Sequence, residues 1–110
     1  DGEFYEDPRC QENETCIAQI NDTKYISLEG ALDSAIDGDT IFMINNTTES
    51  VVNTKDVTLD LNGYTVTGAE DVTIQNNGKL KIIGGGSLEN DIGTTIVNRY
   101  YSWHKTKRNI

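Results

Sequence analysis

Apolar residues in the second half of this chain return on a beat of 22 positions. Ile44, Val66 and Leu88 stand 22 apart, and so do Val52, Ile74 and Ile96. Leu59 and Ile82 continue the pattern at 23, the same period with one residue inserted; Gly63 and Gly85, and Asn76 and Asn98, also differ by 22. A repeat this short cannot bury an apolar face alone, so it must stack on its neighbours. The pattern therefore predicts a mainly β solenoid of about three coils, each carrying three short strands that pair in parallel with their counterparts one coil away. The expected strand families lie near 40–44, 64–67 and 86–89; near 51–53, 72–75 and 94–97; and near 57–61 and 80–83. Ile44–Val66–Leu88 and Val52–Ile74–Ile96 are then inward ladders. Strand alternation turns Val57, Leu59 and Leu61 inward and Thr58 and Asp60 outward. An antiparallel β-sandwich, whose turns recur roughly every 8–12 residues, also fits these runs. Two three-membered series at one period are hard to obtain from hairpins, which favours the solenoid.

Ahead of the repeats the period is helical. Tyr25, Leu28, Ala31, Leu32, Ala35 and Ile36 fall on one face and predict a helix near 28–37. Ser27 suits the N-cap, Glu29 places negative charge in the first turn, and Gly38 is a C-terminal stop. Asp33 and Asp37 face solvent. Residues 1–15 form a polar leader, residues 16–20 a short strand, and Asn21-Asp22 a turn. The domain is expected over 16–98. Residues 99–110 break the repeat with a basic and aromatic tail, read either as a C-terminal cap built on Tyr100, Tyr101 and Trp103 or as the edge of a longer protein.

The run Tyr25-x-x-Leu28-x-x-Ala31-Leu32-x-x-Ala35-Ile36-Asp37-Gly38-Asp39-Thr40-Ile41 resembles the start of right-handed parallel β-helix domains of the pectin-lyase-like superfamily. Val57-Thr58-Leu59-Asp60-Leu61-Asn62-Gly63-Tyr64-Thr65-Val66 resembles a first full coil in bacterial surface proteins of that type, and Leu80-x-Ile82-Ile83-Gly84-Gly85-Gly86-Ser87-Leu88 the next. The resemblance covers about residues 16–98. It implies a helix laid across the open N-terminal end of the coil stack, with Leu28, Ala31, Leu32, Ala35 and Ile36 covering apolar side chains and raw backbone. It implies no particular activity, because the same fold carries lyases, hydrolases, adhesins, tailspikes and stalks.

Charge narrows the partners. The 18 acidic and 9 basic residues give a formal net charge of −9, which disfavours nucleic acid and anionic membrane surfaces. No stretch approaches the roughly 20 apolar residues of a membrane helix. The chain starts without the n-region and h-region of a signal peptide, as a processed secreted chain also does. Cys10 and Cys16 are six residues apart. A small-loop disulfide, free thiols and a Cys10-Gln11 thioester are all open, and the first suits an extracytoplasmic protein. Two thiols without further ligands do not complete a metal site. Sequons at Asn13, Asn21, Asn45 and Asn46 matter only in a source that glycosylates them.

No set of residues converges on a reaction. His104, the sole histidine, sits in the tail beside Lys105 with no nucleophile-elbow serine, and reads as solvated. Asp60 points outward, but Ile82 and Ile83 follow it one coil on, so no acid stacks on it for paired-carboxylate chemistry. Asp37, Asp39, Glu70 and Asp71 sit at turns. Gly84-Gly85-Gly86 lacks the order of a calcium nonapeptide and the Lys-Ser/Thr of a phosphate loop, and instead marks a corner with positive φ. Asn76 and Asn98 could stack as an amide ladder. Tyr64, Tyr100, Tyr101 and Trp103 are candidate sugar-stacking residues, and Lys105, Lys107 and Arg108 read as a solvated end.

The expectation is a non-catalytic structural or recognition segment of a bacterial secreted or cell-surface protein. It needs no cofactor or metal, its ligand is a glycan or a surface protein, and its open coil end allows self-association. The alternatives are the front of a polysaccharide lyase or glycoside hydrolase with active coils downstream, and a phage tailspike segment.

Overall fold

The computed structural model describes residues 8–11 and 14–98. Its elements run β1 (Ala18–Ile20), β2 (Thr23–Tyr25), α1 (Leu28–Ser34), β3 (Thr40–Met43), β4 (Thr47–Thr48), β5 (Val51–Asn53), β6 (Asp56–Asp60), β7 (Thr65–Thr67), β8 (Val72–Asn76), β9 (Lys79–Ile83), β10 (Ser87–Glu89) and β11 (Thr94–Asn98). Among the described residues the protein is mainly β, with one short helix and three sheets. The first sheet has the order β2-β1-β3-β6-β9, the second β10-β7-β4 and the third β11-β8-β5. Among β3 to β11 every strand pairs with the others in parallel. Parallel neighbours cannot be joined by a tight hairpin. Here the chain leaves each sheet, contributes one strand to each of the other two, and returns.

Two registers agree with the 22-residue beat, Val66 beside Leu88 and Ile74 beside Ile96, and Leu59 lies beside Ile82 at the expected 23. Burial follows strand alternation, with Val57, Leu59, Leu61, Val66 and Ile74 all buried. The first pass differs from expectation. Strand β3 pairs with β6, not with the 64–67 family, and Thr47, not Ile44, stands beside Val66. In the third sheet Val51, not Val52, aligns with Ile74; Val52 is 52% exposed. The cause is spacing. Thr47 stands only 19 residues before Val66, so counting back by 22 overshoots into the turn ahead of β4, whereas Val51 stands 23 before Ile74, so the same count falls one residue short and lands on the outward Val52.

The N-terminal end is built differently. Strands β1 and β2 form an antiparallel hairpin turned at Asn21 (φ 52°), and β1 adds antiparallel to β3. Tyr25 thus belongs to a strand rather than to the helix face. The outer edge of β2 is itself covered: Arg9 bridges Tyr25, and Cys10 N donates to Lys24 O. An exposed strand edge is a template for wrong pairing, and this segment occupies it. Cys10 and Cys16 are joined by a disulfide that closes the leader beside this edge.

Helix α1 rests on β1, β2, β3 and β5. Its buried residues Leu28, Ala31 and Leu32 meet Ile17, Ala18, Ile20, Tyr25, Ile41, Met43 and Val51 in one core, while the buried Gly30 lies against Pro8. Ser27 caps its first turn by accepting from Gly30 N at 2.9 Å. The helix stops at Ala35, short of Gly38, because Ala35 is already extended (ψ 154°). Ile36 therefore escapes the helical face assigned to it and is 70% exposed.

Candidate functional site

Two side chains outside the helix hold it in place. The Glu49 carboxylate, just before β5, accepts from Leu28 N at 2.8 Å and Glu29 N at 3.0 Å, and also from the Thr47 hydroxyl. The Lys55 ammonium, just after β5, donates to Leu32 O, Asp33 O and Ala35 O at 2.7–2.8 Å. A helix leaves unpaired N–H groups at its start and carbonyls at its end, with partial charges to match. Opposite charges at the two ends of one three-residue strand meet both.

The bend after the third sheet carries an amide ladder. Asn53, Asn76 and Asn98 are register partners, and the first two are buried. Asn53 Nδ2 donates to Asn76 Oδ1 at 2.8 Å, and Asn76 Nδ2 lies 3.4 Å from Asn98 Oδ1. Asn53 also accepts from Lys55 N and donates to Lys55 O, while Asn76 accepts from Gly78 N. The ladder meets the polar backbone of successive turns that would otherwise be buried without partners. Sequence reasoning reached Asn76 and Asn98 but missed Asn53. The signal was present as a spacing of 23, the same single insertion seen between Leu59 and Ile82.

The outward faces are chemically mixed. On the first sheet Phe42, Asp60 and Ile83 form one row, with Phe42 41% and Ile83 39% exposed, and Thr40, Thr58 and Lys81 form another. No acid stacks on Asp60, as expected. The second sheet presents Thr48, Thr67 and Glu89 in one row, and the Thr65 and Ser87 hydroxyls 3.1 Å apart in another. The third presents Val52, Gln75 and Val97.

A shallow depression on these faces surrounds Phe42. Gln19, Asn21, Asp39, Thr40 and Asn62 line it. Two of its amides are fixed by backbone: Gln19 donates to Asn21 O and Asn62 to Met43 O. An exposed apolar ring among fixed polar groups can stack on the apolar face of a ligand and hydrogen-bond its rim.

Several carboxylates are engaged with backbone. Asp37 accepts from Asp56 N, Asp39 from Ile36 N and Asp60 from Asn62 N. Among the described residues no three His, Cys, Asp or Glu side chains are grouped as metal ligands. Of the candidate stacking residues, Tyr64 is half-buried and packs on the core. Tyr100, Tyr101 and Trp103 lie outside the described residues, as do His104, Lys105, Lys107 and Arg108. At the glycine corner only Gly84 (φ 83°) and Gly86 (φ 126°) take positive φ; Gly85 does not. Comparison with protein-family models, with curated proteins and with solved structures finds no match to this chain.

Proposed function

We propose that the chain is a capped right-handed parallel β-helix of the pectin-lyase-like kind, serving as a non-catalytic display and recognition segment of a bacterial secreted or cell-surface protein. The observation that carries this reading is the path of the backbone. Three successive passes visit the first, second and third sheets in the same order, with equivalent side chains stacked in register. Such a path winds about one axis and builds outward faces whose side chains repeat along the molecule. The disulfide supports an oxidising compartment. The mixed lining of the Phe42 depression supports a saccharide or a surface-protein segment as ligand class.

Scattering and mass measured together test the winding, which requires a particle near the 48 × 26 × 25 Å of the structure. A glycan array and a pull-down, each run with the parent and with Phe42→Ser, test the recognition role. Binding that the substitution abolishes supports it. Binding that the substitution leaves intact moves the ligand elsewhere, and no binding reduces the segment to a stalk.

A further inference from the structure

The chemistry around Phe42 is selective in sign. The apolar part of the depression is the exposed Phe42 ring and the half-buried Ile44, two residues further along the chain. The polar part is built from side chains already fixed on one side. Gln19 donates one N–H to Asn21 O at 2.7 Å, and Asn62 donates one to Met43 O at 3.1 Å. The side-chain carbonyl oxygen of each accepts no hydrogen bond among the described residues. Asp39 is held in the same way: one carboxylate oxygen accepts from Ile36 N at 3.0 Å, and the other is unused. The three unused oxygens are all acceptors. No Lys, Arg or His lines the depression. In register, Lys24 and Lys81 each stand two strands away from β3, whereas Asp60 is the direct partner of Phe42. The volume of about 420 Å³ lies in the lower part of the range of small-ligand sites.

We infer that the Phe42 depression binds neutral pyranose sugars and rejects their uronic acid counterparts. The inference rests on the recognition role proposed above and narrows it to one ligand class. A pyranose lays an apolar C–H face on the aromatic ring. Its hydroxyls both donate and accept, so they can donate to the unused oxygens of Gln19, Asn62 and Asp39 and accept from the remaining amide N–H groups. A carboxylate only accepts. Placed beside those oxygens it would leave them without protons and displace the water that now serves them, which costs affinity. It would also meet the charge of Asp39 with no cation in the lining to offset it.

A glycan array that pairs neutral oligosaccharides with their uronate counterparts, run on the parent, Phe42→Ser and Asp39→Asn, tests this. Asp39→Asn keeps an oxygen to accept from Ile36 N and removes only the charge. The parent should hold neutral chains, and Phe42→Ser should lose them. Uronates should bind the parent about fivefold more weakly, the effect of two like charges about 4 Å apart in water. The gap should narrow in Asp39→Asn and, in the parent, as salt is raised; the salt series gives the answer should the variant fail to fold. Uronates held as tightly as neutral chains, or more tightly, overturn the inference. So does a gap that neither the charge removal nor salt changes. A protein held through Phe42 in the pull-down, with no sugar held, also overturns it but leaves recognition at this site standing. Binding that Phe42→Ser leaves intact, or no binding of any kind, removes the site and both ideas with it.

Discussion

Replacing Asn53 by Asp changes one nitrogen for one oxygen and leaves the shape intact, yet it should reverse the chemistry of the deepest amide in the ladder. Asn53 is 1% exposed. Its Nδ2 faces three oxygens: Lys55 O at 2.8 Å, Asn76 Oδ1 at 2.8 Å and Lys79 O at 3.3 Å. In Asn53→Asp a carboxylate oxygen would face those acceptors with no proton between them. Each buried group left without its partner costs roughly 1–3 kcal/mol, and an ionised group costs more unless it takes up a proton. We take the penalty as about 4 kcal/mol, which corresponds to about three pH units at 1.36 kcal/mol each. The introduced carboxyl would then titrate near pH 7 in the folded chain, against about 3.9 unfolded. The sign follows from proton linkage. Because the folded state holds this proton more tightly, the penalty is complete above the folded value, shrinks as pH falls, and is gone below the unfolded value. Urea unfolding followed by far-UV circular dichroism, run on variant and parent from about pH 4 to about pH 8, gives the difference with the other carboxylates cancelled. We expect a gap of about 4 kcal/mol or more at the alkaline end, narrowing to about 1 kcal/mol at the acid end, where a protonated acid restores one donor. A gap that does not change with pH would falsify the placement of Asn53 among those three oxygens.

Three other perturbations probe separate features. Lys55→Met keeps the apolar stem but strips three helix-end carbonyls of their donor; we expect a loss of about 2 kcal/mol, read as a lower urea midpoint, and an unchanged midpoint would show that the ammonium does not hold the helix. Leu59→Asp places a charge at a position 2% exposed and should prevent folding at neutral pH; a melting curve like the parent's would put Leu59 outside the core. Gly86→Ala forces a side chain into a backbone at φ 126°, where its Cβ would run into Tyr64 O; we expect a loss of about 2 kcal/mol or more, whereas Gly85→Ala, with open space around it, should be close to neutral.

The parts legible in sequence were those set by local chemistry or by a constant period. Ser27 and Glu29 announce a helix start because a short acceptor and an early negative charge suit unpaired N–H groups. Val66 and Leu88, and Ile74 and Ile96, announce register because two full passes have equal length. Extrapolation failed where lengths changed. A spacing of 19 moved the ladder from Ile44 to Thr47, and a spacing of 23 moved it from Val52 to Val51. The strand near 16–20 and the turn at Asn21-Asp22 were legible, but the returning strand Thr23–Tyr25 was not, because three residues are too few to show alternation.

What the chain's residues determine alone is the alternation of Val57, Leu59 and Leu61 against Thr58 and Asp60, and the recurrence of aliphatics that must stack to become dry. Only the tertiary structure decided which side chains answer the helix ends. Glu49 lies 21 residues from Leu28, and Lys55 lies 23 from Leu32. No local pattern couples them; they meet because packing brings both ends of β5 to the two ends of α1. The same holds for the Phe42 depression, whose lining joins Gln19 and Asn21 of the hairpin to Thr40 and Asn62. A site assembled across strands depends on register, and register is settled by the whole core at once.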